Sequence, residues 1–265
     1  MNRIDELFLR KKKDVLGIYF TAGFPRSSGV VKTLVELEAV GVDFVEIGMP
    51  FSDPLADGPV IQASSAEALA GGMTLQRLFG DLERMRQEVK LPVVLMGYMN
   101  PVIQYGFDSF LERCKRCGVD GLILPDLPLE EYEEHYKASF SKYGIYPILL
   151  VTPNTPDERL KKIVLASKGF VYLVSSTSTT GSSGEVTLEH RKKLETATKK
   201  IHGLPVMVGF GIHNASTFAS ATEFSQGGIV GTAFIRQQSA SENERDAVTQ
   251  IMNQLNIYRN DCATV

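Results

Sequence analysis

At 265 residues, with 28 basic against 31 acidic side chains and a formal net charge of -3, the chain can bury a large core but carries no basic stripe for nucleic acid. Three cysteines are too few for a disulfide framework, and no apolar run approaches the length that spans a bilayer. The opening Met-Asn-Arg-Ile-Asp-Glu has no apolar stretch of the secretory kind, so the expectation is a cytoplasmic protein with a single domain over residues 1–265.

In chain order, residues 3 to 12 read as a short extra helix with Ile4, Leu7 and Phe8 at helical spacing, and Arg10 to Lys13 as its solvated end. Eight strand-like apolar runs follow: Val15 to Phe20, Phe44 to Ile47, Pro92 to Met96, Gly121 to Leu124, Tyr146 to Val151, Phe170 to Val174, Pro205 to Val208 and Gly228 to Val230. Segments of helix length separate most of them, among them Val30 to Ala39, Leu75 to Val89, Phe107 to Cys117, Leu129 to Lys142, Pro156 to Ala166 and Leu188 to Ile201. Glycines at 41, 118, 144, 169, 203 and 227 stand where a helix should stop and turn into the next strand. Continuous apolar strands alternating with helices predict a parallel sheet covered by helices, and the count of eight favours a (β/α)8 TIM barrel. An open doubly wound sheet is the alternative, weakened by the lack of G-x-G-x-x-G after the first strand. The stretch from Ile61 to Leu78 reads as an insertion, and Asn243 to Tyr258 as a closing helix.

The richest chemistry lies in F-V-E-I-G-M-P-F-S-D-P-L-A-D-G-P-V-I-Q, from Phe44 to Gln62. Side chains alternate across a strand, so Glu46 shares a face with Phe44 and Gly48 near the strand's C-terminal end, where barrel chemistry sits. A carboxylate among apolar neighbours, with no Lys or Arg nearby in sequence, is a candidate acid or base. Asp53 and Asp57 stand in the following loop, where Asp before Pro or Gly is also an ordinary turn former.

Gly209-Phe210-Gly211 after the seventh strand and Gly231-Thr232-Ala233 after the eighth can offer bare N–H groups and a helix start to an anion. Together they point to a phosphate. The loop from Ser175 to Gly184 is rich in hydroxyl residues and glycine; it reads as a lid, with a linker as the alternative, and its Gly181 can add an N–H to the same phosphate. Cys114 and Cys117 have no second pair to complete a zinc site and read as helix residues. None of His135, His190, His202 and His213 has a ligand-spaced partner, so no metal is expected.

These stretches resemble the tryptophan synthase alpha chain family across essentially the whole length. The carrying motifs are V-E-I-G-M-P-F-S-D-P-L-A-D-G-P at Val45 to Pro59, T-A-G at Thr21, L-M-G-Y-M-N-P at Leu95, P-D-L-P at Pro125, G-F-G-I at Gly209 and V-G-T-A at Val230. The resemblance implies a TIM barrel that cleaves indole-3-glycerol phosphate to indole and glyceraldehyde 3-phosphate within an αββα heterotetramer. The chain itself would need no cofactor, pyridoxal phosphate belonging to the beta partner that joins indole to serine. It further implies Glu46 as acid–base group, Asp57 beside the indole nitrogen and Tyr172 in the active site. Phosphate would fall to Gly181, Gly211, Gly231 and Thr232, and the indole pocket to Tyr19, Met96, Leu124, Leu150 and Phe210. Asp53, Pro54 and Thr180 would belong to the lid and partner loops. Many members carry an arginine and a glycine-valine pair in the sixth loop where this chain has Ser176 and Ser178-Thr179, a departure that bears on lid closure.

The chemistry fits the residues. Breaking the bond between indole C3 and the glycerol chain needs an acid at C3 and a base at the chain hydroxyl, and one carboxyl with a raised pKa can serve both. A second, ionised carboxylate can accept the indole N–H. Three other readings share part of this pattern: a free-standing indole-glycerol phosphate lyase, a phosphosugar isomerase on a related barrel, and a non-catalytic regulatory subunit. The apolar loop Met49 to Leu55, with Met99 to Val102, is the expected partner surface.

Overall fold

The computed structural model describes residues 1–26, 29–174, 188–209 and 211–257. Its parallel strands are β1 Val15–Thr21, β2 Phe44–Gly48, β3 Val93–Met96, β4 Gly121–Ile123, β5 Tyr146–Pro147, β6 Leu150–Val151, β7 Val171–Val174, β8 Val206–Gly209 and β9 Gly227–Val230. They follow the order β5-β4-β3-β2-β1-β9-β8-β7-β6. The two ends of that order are halves of one segment. On one side Ile148 N–H donates to the Leu122 carbonyl at 3.1 Å, and on the other Tyr172 N–H donates to the Leu149 carbonyl at 3.1 Å. The sheet therefore closes through residues 146–151, and the nine strands make an eight-stranded barrel. The expected single strand from Tyr146 to Val151 divides because the stagger of a closed barrel gives its first half to β4 and its second half to β7.

The helices form where apolar residues recur on one face. Val30–Ala39 buries Val30, Thr33, Leu34 and Leu37 against the barrel, and Phe107–Cys117 buries Phe110, Leu111, Cys114 and Cys117. Cys114 and Cys117 are thus free thiols in the core, while Cys262 lies outside the described residues. Leu129 to Lys142 is helical but carries a π turn at Tyr132–Tyr136. The segment Leu75 to Val89 divides into Leu75–Leu82 and Met85–Glu88. The residues taken for an insertion hold a helix, Pro59–Ala70, with Pro in its first turn. Gly227 does not end a helix; it is the first residue of β9, where a Cβ would strike the Val15 carbonyl.

One end of the barrel is plugged by the helix Arg3–Arg10. Asn2 caps it by accepting from Ile4 N–H at 2.9 Å, and Phe8 meets Phe170 with ring centroids 6.0 Å apart, edge to face. Phe44 packs on the same Phe170 ring at 5.4 Å. Aromatic side chains thus fill the barrel's interior at the strands' N-terminal ends.

Candidate active site

Parallel register sets the interior rows at the opposite end of the barrel. Tyr19 pairs with Glu46 and Glu46 with Val94, and the next row toward the C-terminal ends holds Thr21, Gly48 and Met96. Glycine is required in that row: a Cβ on Gly48 would collide with the Tyr19 hydroxyl, and one on Gly209 with that of Tyr172. Two phenols and one carboxyl therefore share the interior. Glu46 is fully buried, and neither of its carboxyl oxygens has a hydrogen-bond partner among the described residues. Burial pushes its pKa up to about 8, because the charged form would give up water and receive nothing in exchange.

Asp57 is half-buried at the end of the loop that leaves β2, where its own N–H bonds the Pro54 carbonyl at 3.0 Å. Tyr98 reaches it from the loop after β3: its hydroxyl donates to Asp57 Oδ2 at 3.0 Å and accepts the Ala56 N–H at 3.0 Å. Burial raises the Asp57 pKa, and the Tyr98 bond works against that rise by favouring the ionised form. Tyr98 is held from both sides, its ring lying 5.2 Å from that of Phe51 and the adjacent Met99 N–H bonding both Asp126 oxygens at 3.0 Å. Burial first, and then the charge of Asp57 for Tyr19 and of Glu46 for Tyr172, pushes these two hydroxyls up, so both stay protonated.

A cleft of about 210 Å³ opens at this end, walled in part by Tyr19, Asp57, Ile61, Met96 and Tyr172. Glu46 stands one layer inside that wall, next to Tyr19 in register. The same cleft is bordered by Gly211, Gly231 and Thr232 from the loops after β8 and β9. Gly211 has a left-handed φ of 77°, and Gly231 is the N-cap of the helix Thr232–Ala240, whose first-turn N–H groups have no partner within the helix. The structure thus brings Glu46, Asp57 and Tyr172 together with Gly211, Gly231, Thr232, Tyr19 and Met96. Leu124 directly follows β4 and Leu150 opens β6 in register with Tyr172, but neither lines this cleft. Thr180, Gly181, Ser176, Ser178, Thr179 and Phe210 lie outside the described residues. No group of side chains that could hold a metal occurs among the described residues.

Volume alone would point elsewhere. A hollow of about 420 Å³ opens at the plugged end beside Arg3, Glu38, Asp43 and Lys90. Its buried carboxylate, Asp43, is committed to Lys11 Nζ at 2.6 Å and Leu16 N–H at 2.7 Å, so chemistry favours the smaller cleft.

The family model for the tryptophan synthase alpha chain matches residues 7–262. The chain belongs to the tryptophan synthase alpha chain family. An alpha chain from Flavobacterium johnsoniae is 48% identical over 244 residues, covering 91% of this chain and 95% of the relative. One from Bacteroides fragilis is 43% identical over 261 residues, covering 98% and 99%. Among solved structures, the alpha chain from Legionella pneumophila superposes with a TM-score of 0.86 at 32% identity over the whole of both chains. A chain of the tryptophan synthase complex from Pyrococcus furiosus gives 0.81 at 34% identity, covering 93% of this chain and 98% of that one.

For this alpha-family chain, the motif reading named Asp57 but missed the residue that holds it. Tyr98 lies within the G-Y-M-N-P motif, yet no spacing rule connects it to a carboxylate 41 residues away. Arg236 and His213 also border the cleft, Arg236 one helical turn beyond Thr232. The expected partner surface needs correction as well. Met49, Pro54, Met99 and Val102 are buried in the chain's own core, because Met99–Tyr105 is a helix rather than a loop, its Pro101 tolerated in the first turn. Asp53 is exposed beside Ser52, and the apolar side chains left to solvent are Leu55, 90% exposed, and Ile103, 53% exposed.

Proposed function

We infer that this alpha chain cleaves indole-3-glycerol phosphate through Glu46 and Asp57. The family's reaction is the retro-aldol release of indole and glyceraldehyde 3-phosphate, a lyase reaction in tryptophan biosynthesis. Indole then passes to a beta chain, which carries the pyridoxal phosphate; the alpha chain uses no cofactor of its own. The observation that carries the residue assignment is Glu46: fully buried, without a hydrogen-bond partner among the described residues, and with a pKa pushed up to about 8 beside the cleft.

Each group has a distinct task. Protonated at neutral pH, the Glu46 carboxyl is an acid for indole C3, and once ionised it is the base that receives the proton of the glycerol hydroxyl as the aldehyde forms. Asp57, whose ionised form the Tyr98 hydroxyl favours against the effect of burial, accepts the indole N–H and offsets positive charge as it develops on the ring. Tyr19, Tyr172 and Met96 supply apolar walls for the indole, with Leu124, Leu150 and Phe210 assigned around it by the same reading. The phosphate falls to N–H groups at Gly211, Gly231 and Thr232, with Gly181 as a further donor, and Asp53, Pro54 and Thr180 belong to the loops that close the site and meet the beta chain. No helix among the described residues is long and apolar enough to cross a membrane, and we place the enzyme in the cytoplasm as one domain over residues 1–265.

Turnover of indole-3-glycerol phosphate, measured alone and after addition of the beta chain, tests this reading. Cleavage that rises on complex formation is expected. Absence of cleavage in the presence of a bound beta chain would sink the assignment, and equal rates without complex formation would favour a free-standing lyase.

A further inference from the structure

The backbone donors of the cleft provide only partial charge. A helix N-terminus contributes roughly half a unit, whereas a phosphomonoester carries about -1.5 to -2 at neutral pH. Two side chains that the motifs left without a role line the same cleft. His213 is held at three points: its N–H bonds Thr217 Oγ1 at 3.0 Å, its carbonyl accepts from Gln254 Nε2 at 2.6 Å, and its ring Nδ1 lies 2.8 Å from the Gly211 carbonyl. A carbonyl oxygen only accepts, so Nδ1 carries the proton and Nε2 is the ring atom left for another partner. Arg236 borders the same cleft from the exposed face of the helix Thr232–Ala240, and no carboxylate among the described residues pairs with it.

We propose that Arg236 supplies the charged half of the anion subsite and that the His213 ring, clamped on the Gly211 carbonyl, positions the Gly211 backbone beside it, the two complementing the N–H groups of Gly211, Gly231 and Thr232 and selecting a phosphomonoester dianion over substrates whose tail is a carboxylate or is uncharged. The inference rests on the reading that this cleft takes the phosphate end of indole-3-glycerol phosphate. The planar guanidinium gives forked donors suited to phosphate oxygens, and the clamped imidazole holds the Gly211 backbone in place at low ordering cost. Both act on the bound tail rather than on the breaking bond, so their contribution belongs in KM and in phosphate affinity rather than in kcat.

The test titrates inorganic phosphate calorimetrically and measures KM for indole-3-glycerol phosphate with the full chain bound to its beta partner. Arg236→Ala should weaken phosphate binding and raise KM about 10-fold, the loss of one charge-assisted hydrogen bond, and Arg236→Lys should restore most of it as a point charge. His213→Ala should cost about threefold. Phosphate affinity of the wild-type complex should fall with added salt more steeply than that of the double variant, a dependence a merely structural role does not produce. Arg236 is exposed, so its removal leaves the core untouched. Wild-type phosphate binding matched within about twofold by the double variant, with the same salt dependence, overturns the proposal. A wild-type complex that binds no phosphate at millimolar concentration overturns the reading of the cleft itself, and the two failures are told apart by the wild-type titration alone.

Discussion

The two ends of the barrel treat buried carboxylates in opposite ways. At the plugged end, Asp120 is 3% exposed and accepts from Arg3 Nη1 at 2.9 Å, Arg86 Nη2 at 2.6 Å and the Val93 N–H at 2.9 Å. Asp43 is likewise paired with Lys11 and the Leu16 N–H. At the open end, Glu46 is more deeply buried than either and has no hydrogen-bond partner among the described residues. Ions taken out of water are tolerated when paired and hydrogen-bonded; an unpaired one neutralises itself by a pKa shift. The paired end therefore holds the fold, and the unpaired end keeps a proton available near neutral pH.

The largest expected effect breaks the open end. Glu46→Gln, nearly isosteric but unable to move a proton, should lower kcat by about 10²- to 10⁴-fold while the chain still folds. Stability supplies an independent check. The folded-state pKa of Glu46, about 8, lies above its ordinary value of 4.5, so the folded chain keeps a proton that the unfolded chain releases. This group costs nothing below the lower value, costs more as pH rises between the two, and costs on the order of 5 kcal/mol above the upper one. Urea unfolding should therefore show Glu46→Gln gaining on the wild type as pH is raised from about 5 to about 9. A constant difference across that range would mean that Glu46 is solvated in the folded chain.

Breaking the other end should do the reverse. Asp120→Ala leaves Arg86 buried without its carboxylate and should cost about 3 kcal/mol, toward the low side of the range for such losses because Arg3 is partly exposed. Turnover per folded molecule should stay close to wild type. A large fall in kcat with an unchanged urea midpoint would erase the division of labour between the ends.

A smaller change sharpens the contrast within the open end. Tyr98→Phe removes the bond that favours ionised Asp57, in a site where Tyr19, Glu46 and Tyr172 are its other titratable neighbours. In the proposed mechanism Asp57 works ionised, so activity should fall as pH drops through its pKa. Removing the Tyr98 hydroxyl lifts that pKa and moves the acid limb of the kcat profile to higher pH, with about a 10-fold loss at neutral pH. An acid limb that stays in place would leave Tyr98 a packing residue only. The smallest effect belongs to the surface: Leu55→Ala should change the stability of the isolated chain by no more than about 0.5 kcal/mol but weaken beta-chain binding about fivefold, measured by sedimentation. Unchanged affinity would place the beta chain on other residues.

Much of this architecture was legible before any coordinates. Alternating apolar strands and amphipathic helices, with glycines at 41, 118, 144, 169 and 203 taking left-handed φ, specify a parallel sheet wrapped by helices, because both signals are local in sequence. That Glu46 shares a strand face with Phe44 and Gly48 followed from the two-residue period of a strand, and glycines after consecutive strands marked the loops that border the cleft. Local pattern failed where pairing was long-range. The segment 146–151 looked continuous but serves two neighbours, and Met99–Val102 looked like an exposed loop until its helix buried Met99 and Val102.

The sequence by itself determined the barrel, the inward carboxyl and the family, since each rests on a period or motif contained within a few tens of residues. Only the tertiary structure decided that, among the described residues, Glu46 has no partner while Asp120 has three, that Tyr98 holds Asp57, and that His213 and Arg236 share the cleft with Gly211 and Thr232. The physical reason is that desolvation and hydrogen bonding depend on every element packed around a group. Closing the sheet brings residues from β1, β2, β7 and β9 into one small volume, a proximity that no spacing along the chain encodes.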